Sequence, residues 1–206
     1  MKRKLIIRYI LLGVLLLLVW MTQSIPALGN LYSQTVYPVI SRVLSFFSNL
    51  FPFAIGDLFI FGSITGVIVY PFYARIRKKL PWKRILLRDG EYLLWVYVWF
   101  YLAWGLNYSQ PNFYQRTHIP YTAYTPEIFQ EFVDDYIDSL NSLFVPVKGI
   151  HEKQVRDEAV KLYNQLSDSL GVHRPPFPNP RVKTMVFTPF ISMVGVTGSM
   201  GPFFCE

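Results

Sequence analysis

Long apolar runs bordered by clustered lysines and arginines constrain this chain more than any other feature. The first, Leu5 to Ala27, is nearly all apolar and is interrupted by Arg8 close to its start. At about 1.5 Å rise per residue it is long enough to cross a hydrocarbon core of roughly 30 Å. Lys2, Arg3 and Lys4 would also suit the head of a signal peptide. The apolar run is long for that, and Ser24-Ile25-Pro26-Ala27 is a poor cleavage site, so an uncleaved span is expected. A second span is predicted over about residues 53–73, with Asp57 in its first turn. Within it, Gly62 and Gly66 form a G-x-x-x-G that lets a neighbouring helix backbone approach closely, although such spacing is common in membrane helices. A third span is predicted over about residues 91–106, where Trp95, Trp99 and Trp104 stand among Tyr92, Tyr97 and Tyr101. Aromatic residues this dense suit the membrane–water interface.

Between the first two spans, residues 32–50 place Val36, Val39, Ile40, Val43, Leu44 and Phe47 at helical spacing, with Arg42 as the only charge. This predicts a helix lying on the membrane or on the other spans. Charge then orients the chain. Residues 1–105 hold 12 Lys/Arg against 3 Asp/Glu, and residues 106–206 hold 8 against 10, so the basic character belongs to the first half alone. Those cations flank apolar runs instead of covering one folded face, which argues against a nucleic-acid binder. The N-terminus carries four of them and the loop between the second and third spans seven, from Arg75 to Arg88, whereas the intervening loop has Arg42 alone. Lys/Arg-rich short loops stay in the cytoplasm, so the N-terminus is expected inside and everything after about residue 107 in the periplasm of a bacterial inner membrane.

Residues 107–206 read as a water-exposed α+β segment of two helices followed by a β-hairpin. Tyr108 to Tyr124 is expected to be an extended connector. Thr125-Pro126 supplies an N-cap hydroxyl followed by proline at the first helical position. Ile128, Phe129, Phe132, Val133, Tyr136, Ile137, Leu140, Leu143 and Phe144 then mark one apolar face, expected to point inward, and Asp134, Asp135 and Asp138 a solvated one. A second helix is expected from about Glu152 to Leu170, stopped by Gly171. Val182–Phe190 and Phe203–Glu206 are expected to pair as strands of an incomplete sheet, leaving Phe187, Phe203 and Phe204 without a covering helix.

The chemistry-bearing residues are sparse. His151-Glu152 begins like the zinc motif H-E-x-x-H, but Val155 stands where the second histidine belongs, so a surface pair at a helix start is the better account. His118 and His173 are isolated in proline-rich loops, and Gly198-Ser199-Met200-Gly201 lacks the spacing of a nucleophile elbow. The single Cys205 excludes an intramolecular disulfide. No metal ligands, cofactor site or complete active site are expected in this chain.

Trp104-Gly105-Leu106-Asn107-Tyr108 and the tail Gly198-x-x-Gly201-Pro202-Phe203-x-x-x-Glu206, placed after apolar spans, resemble the domain of unknown function 3810 family of bacterial membrane proteins. The resemblance covers essentially the whole chain. It implies a longer, membrane-anchored protein in which an H-E-x-x-H helix follows the tail as in zinc metallopeptidases, so that this chain is an N-terminal part and zinc belongs to the longer protein. Glu206 is then the one weak catalytic candidate, beside a cleft for an unknown peptide substrate, and reads equally well as a plain surface acid. The alternative is a non-enzymatic envelope scaffold or sensor.

Overall fold

The computed structural model describes residues 2–121, 123–144, 149, 151–167, 169, 183, 193, 203 and 204. The chain divides into two units, Met1–Pro111 together with Arg181–Glu206, and Asn112–Pro180. The described residues are mainly helical and form no strand; Phe53 makes an isolated β-bridge.

In the first unit, α1 (Lys2–Ser24) is one continuous helix of Leu, Ile and Val. It stops short of the predicted end at residue 27 because Pro26 forces the preceding Ile25 into an extended conformation, with φ −117° and ψ 102°. Pro26 then opens the short α2 (Pro26–Leu31), where its missing N–H costs nothing. The stretch predicted as one helix over 32–50 is a π-turn, Tyr32–Val36, running into α3 (Tyr37–Ser48). Pro38 has no N–H to return to residue 34, and the wider turn sits just ahead of it.

α4 (Ile55–Ile76) matches the second predicted span, with Asp57 buried in its first turn near the N–H groups that favour an acid. Lys79, at φ 51°, reverses the chain, and the Leu80 N–H donates to the Ala74 carbonyl at 3.1 Å. α5 (Trp82–Ala103) begins directly after Pro81, well before the predicted start of the third span. Among the described residues, two helices are long and apolar enough to cross a membrane, Arg3–Ser24 and Ile55–Ile76. Two of the three predicted spans therefore meet this criterion, and the third, α5, does not. α5 equals α4 in length, but Lys83, Arg84, Arg88, Asp89 and Glu91 occupy its first half, leaving only residues 92–103 free of charge. A 3₁₀ turn, Gly105–Ser109, follows it.

Cross-helix contacts fix the directions. α1 and α5 run parallel: Arg8 in the first third of α1 meets Glu91 near the middle of α5, and the Tyr32 hydroxyl following α2 donates to the Leu102 carbonyl near the end of α5. α4 runs antiparallel to α5, because Ser63 meets Tyr92 while Tyr70, farther along α4, meets the earlier Arg88. Their up–down–up order leaves little apolar surface enclosed. The core is a small cluster of Val19, Tyr32 and Leu106, joined by Tyr37, Ile40, Tyr101 and Leu102, with Ile85, Ala74, Val98 and Ala103 buried elsewhere.

Phe203 and Phe204 belong to this unit and occupy a turn. Phe203 lies 5.1 Å from Phe59 of α4 and 5.8 Å from Phe100 of α5, centroid to centroid, and Phe204 lies 6.1 Å from Trp99. The expectation that these two rings lack a cover is therefore wrong: helices of the first unit pack against them, an arrangement a hairpin at the chain's end could not foresee. The rest of the predicted hairpin, apart from Lys183, lies outside the described residues.

The second unit holds α6 (Phe113–Thr117), α7 (Pro126–Ser142) and α8 (Glu152–Leu166). α6 interrupts the predicted connector. Asn112 caps it, accepting from the Gln115 N–H at 2.9 Å while the Gln115 side chain accepts from the Asn112 N–H at 3.1 Å. α7 starts as expected, with the Thr125 hydroxyl accepting from the Ile128 N–H at 3.5 Å. Its apolar face is not buried: Ile128, Phe129, Phe132, Tyr136, Ile137 and Leu140 are all exposed. α8 ends at Leu166, and Gly171 lies outside the described residues.

Candidate functional site

Polar groups in the first unit gather in two layers of its helices. The lower layer lies on the side of the α1 N-terminus. The Arg8 guanidinium grips Glu91 with both arms, Nε to Oε1 at 2.6 Å and Nη2 to Oε2 at 2.8 Å, and the Tyr9 hydroxyl adds a longer contact at 3.3 Å. The Glu91 side chain is 10% exposed and that of Arg8 49%. Paired, hydrogen-bonded charges of this kind are how an apolar helix bundle tolerates an acid and a base. Arg88 donates to the Tyr70 hydroxyl at 3.1 Å one turn below, and Ser63 and Tyr92 share a hydrogen bond of 2.7 Å above.

The upper layer lies toward the end of α5. Ser33, Ser41 and Ser48 are buried, and each hydroxyl donates to a carbonyl of its own helix, Gly29, Pro38 and Ser45 respectively. Lys183 Nζ donates to the Ser48 carbonyl at 2.7 Å. Aromatic side chains cluster alongside: Tyr37 packs edge-on to Trp104 at 6.0 Å, and the Trp104 indole N–H donates to the Tyr108 hydroxyl at 3.3 Å. These serines are satisfied by backbone carbonyls, and among the described residues no base is hydrogen-bonded to them.

The residues singled out from sequence stay apart. His118 is the exposed left-handed residue that ends α6, and His151 is exposed at the start of α8, where its N–H donates to Gln154 Oε1 at 3.3 Å. Neither histidine is hydrogen-bonded to a serine or cysteine among the described residues. His173, Ser199, Cys205 and Glu206 lie outside the described residues. Among the described residues no three His, Cys, Asp or Glu side chains gather where a metal ion could bind. Gly62 and Gly66 face outward, with nothing within 4 Å of a Cβ placed on either, so no helix among the described residues uses their close approach. Of the α7 acids, Asp134 accepts from the Gln130 amide at 3.0 Å, and the Thr125 hydroxyl holds Glu127 below the usual carboxylate range. In α8, burial raises the Tyr163 hydroxyl above its ordinary value, partly opposed by the nearby Arg116.

The Arg8–Glu91 pair was not anticipated from sequence. The one signal was arithmetic: a lone cation early in the first apolar run and a lone acid at the head of the third.

The family described as "Protein of unknown function (DUF3810)" matches residues 32–206. No match is found among curated proteins or among solved structures.

Proposed function

We propose, for a chain that belongs to the DUF3810 family of proteins of unknown function, that it is a multi-pass protein of a bacterial inner membrane whose helical bundle anchors a periplasmic unit. The observation that carries this is the outer surface of α1 and α4. Ten large apolar side chains of α1, from Leu5 to Trp20, and eight of α4, from Leu58 to Ile76, are exposed, and only 11% of each span is buried. At roughly 1 kcal/mol lost for each half-exposed side chain left in water, the penalty would exceed the whole stability of an ordinary domain, about 5–15 kcal/mol. In lipid it vanishes.

The up–down–up order supports the topology as well. It gathers Lys2 to Arg8 and Arg75 to Arg88 at one end of the bundle, as cytoplasmic retention of cations requires. α5 then serves as the third crossing, with its charged first half in the cytoplasmic headgroup layer and its aromatic end at the opposite interface. On this reading residues 112–180 belong to the periplasmic side. Alkaline phosphatase fused after Tyr121 is expected to be active and fused after Lys79 inactive; the reverse pattern refutes the topology.

The tail motif extends this reading to an enzyme. In a longer protein with an H-E-x-x-H helix beyond Glu206, the bundle is the anchor of a zinc metallopeptidase-like domain, and Glu206 stands near its cleft. The coding sequence past codon 206 tests this directly: without that motif in frame, the scaffold or sensor reading takes its place. The outward face of Gly62 and Gly66 fits close packing against another membrane helix, such as that of a second copy.

A further inference from the structure

We infer that α3 is a membrane-surface helix of the periplasmic leaflet, its outward face seated among acyl chains and Arg42 at the depth of the lipid phosphates. This rests on the membrane reading above and adds a lipid-contact surface outside the spans. The carrying observation is an outward face that is apolar where water would demand a polar one. A surface helix on a water-soluble protein buries its apolar stripe and shows its polar one. α3 and the turn before it depart from this: Tyr32, Tyr37 and Ile40 turn toward the bundle together with the buried Ser33, Ser41 and Ser48, yet Val36, Val39, Val43, Phe46, Phe47 and Leu50 on the outward side are exposed, each by 46–65%. The serines can face inward because each hydroxyl is satisfied by its own helix, which lets the small side chains pack closely. Only an apolar surrounding makes the other side favourable.

Its depth follows from its two ends. α3 starts where Tyr37 packs on Trp104, within the Trp104–Tyr108 aromatic cluster at the end of α5, and such rings prefer the headgroup boundary. Six residues separate its end from Ile55, the start of α4, which lies at the same end of the bundle because α4 and α5 are antiparallel. Twelve residues span about 18 Å, too short to cross and return, so the helix lies along the boundary. Arg42 is the one charged residue from residue 9 to residue 56, and among the described residues no acid forms an ion pair with it, so an anionic phosphate is its natural partner.

The test uses the full chain with Cys205→Ser, reconstituted in vesicles of phosphatidylethanolamine and phosphatidylglycerol. Single cysteines at residues 39, 42, 43 and 46, and at 14 and 64 in the spans, carry a nitroxide. Collision with oxygen, which enters lipid, is compared with collision with a water-soluble nickel chelate. The expected result is oxygen access several-fold above nickel access at 39, 43 and 46, with comparable access to both at 42. Nickel access dominating at 39, 43 and 46, while 14 and 64 remain lipid-exposed, overturns the inference alone. Nickel access at 14 and 64 as well overturns the membrane reading itself. Protection from both reagents at 39, 43 and 46 also overturns the inference, since a protein partner would then cover α3.

Discussion

Two glycines in similar helical settings should respond oppositely to alanine, and the contrast tests the packing of the first unit. A Cβ added at Gly29 of α2 would stand 2.7 Å from the Ser109 carbonyl carbon and 2.8 Å from its Cβ, and closer still to the carbonyl oxygen. Backbone, not a flexible side-chain tip, is in the way. Restoring ordinary contact moves the 3₁₀ turn by roughly 1 Å, and that turn carries Leu106, which is buried against Val19 and Tyr32. Overpacking of this kind costs about 1–3 kcal/mol, from which alanine's helix propensity returns at most about 1 kcal/mol. Gly29→Ala is therefore expected to destabilise the bundle by about 1–2 kcal/mol. Gly62→Ala meets open space, so only the propensity gain remains and the monomer should gain about 0.5–1 kcal/mol. The assay is reversible unfolding of the full chain in mixed micelles by sodium dodecyl sulfate titration, followed by far-ultraviolet circular dichroism. A Gly29→Ala variant as stable as the parent would refute the close α2–3₁₀ packing. A Gly62→Ala loss as large as that of Gly29→Ala would refute the open outward face and place another helix against it.

Glu91→Gln leaves the Arg8 guanidinium without its counter-charge. Loss of a charged hydrogen-bonded pair costs about 1.5–3 kcal/mol, discounted to about 1–2 here because Arg8 is half exposed and can reach toward the headgroups. The double variant Arg8→Met, Glu91→Leu should recover part of that loss in the same titration, and strict additivity would show that the pair contributes nothing. Phe203→Ala with Phe204→Ala removes ring contacts to Phe59, Trp99 and Phe100, at about 0.5–1.5 kcal/mol per aromatic pair. Bundle stability should fall accordingly, and an unchanged midpoint would detach these rings from α4 and α5. In α7, the Thr125 hydroxyl depresses Glu127, so the ionised side chain stabilises the helix start above the ordinary carboxylate range and that contribution is lost as pH falls through the lowered value. Thr125→Ala should raise the Glu127 titration midpoint and cost about 1 kcal/mol of helix stability. Both are read by carboxyl NMR shifts and amide exchange at residues 127–130, and a wild-type Glu127 that titrates like a free carboxylate contradicts the cap.

Local chemistry by itself determined much of the helical framework. Hydrophobic runs long enough to cross lipid, the Thr125-Pro126 start and the basic clusters depend only on residues close in sequence, so α1, α4 and the N-terminus of α7 were legible. Boundaries slipped where a single local cue was undervalued, at Pro26, at Pro81 and at the Asn112–Gln115 cap. Three things were decided only in three dimensions. Which charge meets Arg8 depends on α1 and α5 lying parallel across a sequence separation of 83. Which face of α3 turns inward could not be read from its period, because spacing reveals that a helix has two faces but not which one the bundle takes. The packing of Phe203 and Phe204 against α4 and α5 required those helices to be in place, and a strand-like run of aromatic residues carries no mark of the surface that will receive it. Sequence dictates what each segment can bury; the assembled helices dictate what is there to bury it against.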